Sequence, residues 1–106
     1  MARIVAALLS ALLFGATRAS AQAPPPVVAD QCMSCHGTTD RPGDPTVPII
    51  AGQQYAYLLR ALRAYRNGDR GGSQQAADMT QIAKGLAFED LPVVAEFYSN
   101  LRSVRW

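Results

Sequence analysis

The stretch DQCMSCHGT, residues 30–38, gathers both cysteines of the chain, Cys32 and Cys35, and its one histidine, His36, into five consecutive positions. Three readings compete for a cluster of this kind. A structural zinc site wants four protein ligands, and two cysteines with one histidine fall short of that. A thioredoxin-like dithiol also reads C-x-x-C, but it follows a strand in a βαβ pattern, whereas the flanks here have helical character. The remaining reading is C-x-x-C-H, the attachment signal of a c-type haem. On roughly one helical turn the two thiols can reach two vinyl groups along one porphyrin edge, and the next residue brings an imidazole to the iron. One short segment thus supplies two covalent anchors, Cys32 and Cys35, and one axial ligand, His36.

The surroundings agree with this reading. Upstream, Arg3 precedes the 13-residue apolar run IVAALLSALLFGA, and TRASAQA follows with small-residue sites for cleavage after Ala21 or Ala23. An uncleaved membrane anchor would need about 20 apolar residues to span a bilayer. Residues 1–23 therefore read as a secretory signal peptide, which predicts a periplasmic protein. Residues 24–27 form a proline-rich, extended lead-in, and residues 28–106 form the domain proper. Loss of Arg3 and Arg18 takes the formal charge from +2 to neutral, eight basic against eight acidic residues. That balance gives no basis for nucleic-acid binding. A chain of about 85 residues buries little surface by itself, so a large apolar cofactor in its core would be stabilising.

Downstream the pattern is helical. Val27 to Cys35 suits a short helix running into the motif. Gly37 to Gly52, with three prolines and three glycines, reads as an irregular loop. Gln53 to Asn67 carries Tyr55, Leu58, Leu62 and Tyr65 at three- and four-residue steps, which makes it the most strongly patterned helix. Arg60, Arg63, Arg66 and Arg70 fall on a neighbouring face, read as a solvated face in preference to a docking patch. Gly68 to Ala77 reads as a polar loop, and Thr80 to Lys84 as a short helix ended by Gly85. A last helix runs from Phe88 or Glu89 to about Arg102, with Leu91, Val94, Ala95, Tyr98 and Leu101 as its apolar stripe.

A second axial position on the iron decides the chemistry: methionine raises the potential and favours electron transfer, whereas an open position admits ligands. Met33 lies between the two cysteines and cannot reach the face opposite His36. That leaves Met79, placed between a glycine-rich loop and a short helix. Its competing reading is a core gap-filler; with no second histidine in the chain, axial ligation is the better one.

Taken together, VPIIAGQQYAYLLRALRAYRNGDR (47–70) and MTQIAKGLAFEDLPVVAEFYSNL (79–101), following the haem motif, resemble the class I c-type cytochromes. More narrowly they are similar to bacterial periplasmic single-haem domains, including one half of dihaem cytochromes and the haem subunit of flavocytochrome c sulfide dehydrogenases. The resemblance covers about residues 28–101. It implies an all-α class I cytochrome c fold, three to four helices around one covalent haem c. It also implies that the Pro48 carbonyl accepts from His36, that the first and last helices cross near Ala29 and Tyr98, and that Ile50, Tyr57, Leu58, Leu62, Ile82 and Leu86 line the haem pocket. Two departures stand out. Ala87 replaces the serine that often caps the last helix, so that helix is expected to fray at its start, and CHGTTD lacks the Asp-Gly pair often found after the motif.

The function so implied is single-electron transfer through a haem ligated by His36 and Met79, in a protein that is not itself an enzyme. One haem edge near Cys32 and Cys35 would be exposed to transient redox partners. The alternatives are a haem subunit held in a dehydrogenase, and a gas-binding or peroxidatic protein with an open distal site. The four-helix-bundle c-type cytochromes carry their motif near the C-terminus, unlike this chain.

Overall fold

The computed structural model describes residues 24–105, so the expected signal peptide lies outside the described residues. A 3₁₀ turn, Val27–Ala29, leads into α1 (Asp30–His36), followed by α2 (Tyr55–Arg66), α3 (Gln74–Gly85) and α4 (Asp90–Asn100). There is no strand among the described residues, and the architecture is all-α. No described helix is long and apolar enough to cross a membrane.

Each helix is bounded by local chemistry. Asp30 and Asp90 place negative charge in the first turns of α1 and α4, where the positive end of the helix dipole lies. The end of α2 is a Schellman motif: Gly68 N–H donates to Tyr65 O at 3.0 Å and Asp69 N–H to Ala64 O at 2.9 Å. Gly68 takes the left-handed conformation this requires, φ +75°. Ser73 caps α3, its hydroxyl accepting from Ala76 N–H at 3.1 Å.

That cap corrects the expected loop over Gly68 to Ala77. Helix α3 begins at Gln74 and runs twelve residues to Gly85, in place of the five-residue helix over Thr80 to Lys84. Met79 consequently sits within a regular helix and not at its edge. Helix α4 starts at Asp90 and ends at Asn100, shorter at both ends than expected. Its N-cap, Glu89, makes no side-chain bond, and Ala87 contributes only its carbonyl, to Asp90 N–H at 3.0 Å.

The core joins Leu58 and Leu62 of α2 to Leu91, Val94, Ala95 and Tyr98 of α4, with Leu86 and Cys32 completing the cluster. Helix α2 packs against both α3 and α4, and α4 packs against the 3₁₀ turn. The expected crossing of first and last helices is therefore made by the 3₁₀ turn that precedes α1. Ala29 on that turn and Tyr98 on α4 are both fully buried. Burial of side chains such as Leu91 contributes about 1.5–3 kcal/mol each.

Arg60, Arg63 and Arg70 are exposed, as expected of a solvated face, although Arg70 lies beyond the end of α2, and Arg66 is half-buried. Arg66 Nη1 donates to Ala83 O at 3.1 Å and also to Leu86 O, so it serves the end of α3, where Ala83 O otherwise has only the 3.4 Å bond from Leu86 N–H. Arg63 lies over the Phe88 ring at 5.9 Å, and Arg70 stacks on Tyr65 at 4.6 Å.

Candidate cofactor site

Helix α1 is only seven residues long, yet it presents the whole motif. Cys32 is buried, Cys35 is exposed, and both thiols are free. Burial, reinforced by the nearby Cys35, pushes the Cys32 thiol up to about 11, so it is protonated at neutral pH. His36 closes the helix. Its Nδ1 lies 2.7 Å from Pro48 O. A carbonyl only accepts, so this contact places the ring proton on Nδ1 and leaves the Nε2 lone pair free. Burial lowers the imidazole pKa, against a smaller upward pull from the Pro48 bond, and the ring is held neutral.

Pro48 is brought within reach by a loop tied back on itself. Asp44 N–H donates to Cys35 O at 2.7 Å, and Thr38 N–H to Arg41 O at 2.8 Å. Asp44 Oδ1 then accepts from both Thr46 N–H and Thr46 Oγ1, at 2.8 and 2.7 Å. Gly43 is packed so closely that a Cβ there would overlap Cys35 O and Gly37 N. These bonds shape the loop in place of the missing Asp-Gly pair. The loop is also anchored to the C-terminal region: Thr39 Oγ1 donates to Arg102 O at 2.6 Å, and Gly52 N–H to Tyr98 O at 2.9 Å.

Between these elements lies a cavity of about 430 Å³, within the ~300–1,000 Å³ usual for cofactor and ligand sites. Its wall includes Cys32, Cys35 and His36 from α1 and Pro48 and Ile50 from the loop. It also includes Tyr57, Leu58 and Leu62 from α2, Met79 and Ile82 from α3, and Leu86 just beyond α3. All eleven residues singled out from sequence thus border one space, although Tyr57 is half exposed and stands at its mouth. Met33, by contrast, does not line it.

Several wall residues were not foreseen as such. Ala61 and Tyr65 extend the α2 face already marked by Leu58 and Leu62, and Val94, Ala95 and Tyr98 belong to the α4 stripe. Helical spacing from the named residues is the signal that reaches them. Tyr98 has the further role of joining α4 to the motif. Its hydroxyl donates to Gly37 O at 2.9 Å, and its ring meets His36 edge-on with centroids 6.4 Å apart. Arg70, Ser73 and Gln75 form a polar rim between α2 and α3.

The donor set fits haem and not the rival chemistries. Two free thiols one turn apart, a neutral imidazole with an unused nitrogen, and a thioether share one largely apolar cavity of cofactor size. Among the described residues, no group of three or more His, Cys, Asp or Glu side chains is placed to hold a metal ion, which disposes of the zinc reading. The βαβ frame of a thioredoxin-like dithiol is absent from the described residues as well.

Comparison with known proteins points the same way. The family model described as cytochrome c matches residues 25–102. Cytochrome c-554(548) of Halomonas halodenitrificans is 42% identical over 69 residues, 65% of this chain and 82% of that protein. The thiosulfate dehydrogenase electron acceptor of Thiomonas intermedia is 35% identical over 104 residues, 96% of this chain but only 45% of that protein. The cytochrome subunit of sulfide dehydrogenase from Chlorobaculum tepidum is 32% identical over 75 residues, 71% of this chain and 64% of that protein. This chain therefore spans less than two thirds of the latter two relatives.

Proposed function

Because this chain belongs to the cytochrome c family, class I, whose members are electron-transfer proteins with covalently bound haem c, we propose that it carries single electrons in the periplasm with His36 and Met79 as the axial ligands of its haem. The haem iron supplies reversible one-electron chemistry when bound. The observation that carries the reading is that one apolar cavity is bordered by His36, with Nδ1 engaged by Pro48 O and Nε2 free, and by the thioether of Met79.

The protein's own groups support this in distinct ways. The Pro48 carbonyl fixes the plane and tautomer of His36, as an outer partner of a ligating imidazole does. A methionine ligand and an apolar wall built from Leu58, Leu62, Leu86 and Val94 both favour the less charged, reduced state. Cys35 is exposed, so the attachment side of the cavity reaches the molecular surface, where a redox partner would dock. Export of the chain rests on the leader pattern, with cleavage after Ala21 or Ala23 and the domain proper beginning at residue 28.

Absorption spectra of the purified holoprotein, with and without carbon monoxide, test the ligation. The ferric protein should show the weak long-wavelength methionine-to-iron band, and the ferrous protein should resist the gas. Met79→Ala should abolish the band, lower the reduction potential and open the site to carbon monoxide. Ready binding by the unchanged protein, with a potential that Met79→Ala leaves in place, would overturn the reading and favour a gas-binding or peroxidatic site.

A second reading is a haem subunit held in a dehydrogenase. One relative, the cytochrome subunit of sulfide dehydrogenase, carries a name of that kind, and Val27, Phe88 and Val93 expose apolar surface at 83%, 59% and 40%. Stable co-purification with a larger subunit would select it over a free carrier.

A further inference from the structure

Among the described residues, few that border the cavity are charged: Arg70 is its one arginine or lysine and Asp78 its one carboxylate. Arg66, on the carbonyls ending α3, Arg63, over Phe88, and Arg60 do not border it; Arg70 is exposed like Arg60 and Arg63, so its place on the cavity rim and not burial sets it apart. Arg70 has no carboxylate at ion-pair distance among the described residues, where the single ion pair is Arg102 with Asp40 at 3.7 Å. Asp78 instead accepts from Gln74 Nε2 at 2.9 Å.

Arg70 owes its position to the end of α2. The Schellman turn at Gly68 reverses the chain so that the guanidinium comes back over Tyr65, five residues earlier, at 4.6 Å from the ring centroid. Ser73 and Gln75, three and five residues further on, border the same cavity. Ser73 Oγ already accepts from Ala76 N–H, which leaves its hydrogen free to donate. Hydrogen-bond donors are thus collected at this rim, while the wall behind it is made of Leu58, Leu62, Leu86 and Val94.

Haem brings two propionate carboxylates with its iron, and a carboxylate at an apolar wall is costly unless it is paired. A guanidinium is the side chain best suited to such a group, because its planar fork matches a carboxylate bidentately and its charge is permanent. We infer that Arg70, stacked on Tyr65 and bordering the same cavity as Ser73 and Gln75, is the residue that receives a haem propionate and sets part of the iron's potential through its charge. This rests on the reading of the cavity as the haem site. It gives the turn at Gly68 a role beyond ending a helix, and it separates Arg70 from the other arginines by function.

The test compares midpoint potentials of four holoproteins by spectroelectrochemical titration: unchanged, Arg70→Gln, Arg70→Lys and Arg60→Gln. Removing a cation close to the haem favours the ferric state, so Arg70→Gln should lower the potential. Arg70→Lys, which keeps the charge, should restore most of the loss. Arg60→Gln removes the same formal charge from an exposed position outside the cavity and should shift the potential much less. A shift in Arg70→Gln no larger than that in Arg60→Gln, or an equal fall in Arg70→Lys, would overturn the assignment. Absence of the methionine-to-iron band from the unchanged protein would instead tell against axial ligation, a separate failure. Persistence of the band in Arg70→Gln shows that a lowered potential did not arise from loss of Met79.

Discussion

The wall of the cavity that carries His36 and the wall that carries Met79 are built on different plans. The histidine wall is made within one continuous stretch, Cys32 to Pro48, and is crossed by short-range bonds: Asp44 to Cys35, Thr38 to Arg41, Thr46 to Asp44 and His36 to Pro48. The methionine wall is a single exposed-edged helix, α3, held by its packing against α2, by the Ser73 cap at its start and by Arg66 at its end. The first wall is cross-tied within one short segment of chain, whereas the second is a helix bonded along itself that takes its place from packing against another helix. A substitution in the first should therefore act through the covalent motif, and one in the second through the placement of a helix.

The histidine wall should break most readily where backbone meets backbone, as in Gly43→Ala. The added Cβ would overlap backbone atoms, Cys35 O and Gly37 N, so no side-chain movement relieves it. The loop must open, with loss of the Asp44 to Cys35 bond, at a cost of about 3 kcal/mol or more, the upper range for one substitution. Thermal unfolding of the holoprotein would register this as a large fall in Tm. An unchanged Tm would mean that the loop is far more pliable than its bonds suggest.

Tyr98→Phe probes the side-chain strut that ties Gly37 of this wall to α4. The ring is fully buried and phenylalanine fills its volume, so the change isolates the hydroxyl that donates to Gly37 O. Leaving that buried carbonyl without its partner should cost about 1–3 kcal/mol in denaturant unfolding. A loss below about 0.5 kcal/mol would show that water reaches the carbonyl instead.

The same contrast governs what could be read from the residues alone. The histidine wall is local, so its chemistry follows from spacing: Cys32, Cys35 and His36 must share one turn, and the proline-rich stretch after them must be a loop. Met79 was accessible through elimination among few methionines, but the helix that bears it was not. Gly71, Gly72 and the polar run after them read as loop, and Ser73 lacks the acidic or amide partner three residues on that would mark a capping box, since Ala76 stands there. Contacts across the chain left still less trace. The Tyr98 to Gly37 bond spans 61 positions, and Arg66 meets the end of α3 only because α2 and α3 pack together. Helical spacing shows that Arg60, Arg63 and Arg66 share a face, not which neighbouring carbonyls lie opposite one of them, nor that the turn at Gly68 takes Arg70 off it.

The methionine wall can be loosened without touching its contacts by Ser73→Ala. Loss of the cap leaves Ala76 N–H without its acceptor and should destabilise α3 by about 1 kcal/mol. If α3 positions Met79 as proposed, the methionine-to-iron band should weaken on heating before global unfolding. A band that survives up to the unfolding transition would show that packing against α2 alone fixes the helix.

The smallest effect sharpens the account of the histidine wall through pH. Asp44 is exposed, and its pKa is lowered first by the hydroxyl and then by the backbone N–H of Thr46, which bind its charged form. Its folded pKa thus lies below the ordinary 3.8 of the unfolded chain, so its charge stabilises the fold above that value. The contribution fades as pH falls from about 3.8 through the folded pKa, where both states bind the proton. The Asp44→Asn variant keeps an acceptor in its side-chain amide but carries no charge there, and so resembles the protonated acid at every pH. The Tm of Asp44→Asn should therefore lie slightly below that of the unchanged protein near neutrality, and the two should converge as the solution is acidified below the folded pKa. A gap independent of pH would assign the role of Asp44 to the shape of the turn and not to its charge. In that case the histidine wall would be held by backbone geometry alone, and the difference between the two walls would be sharper still.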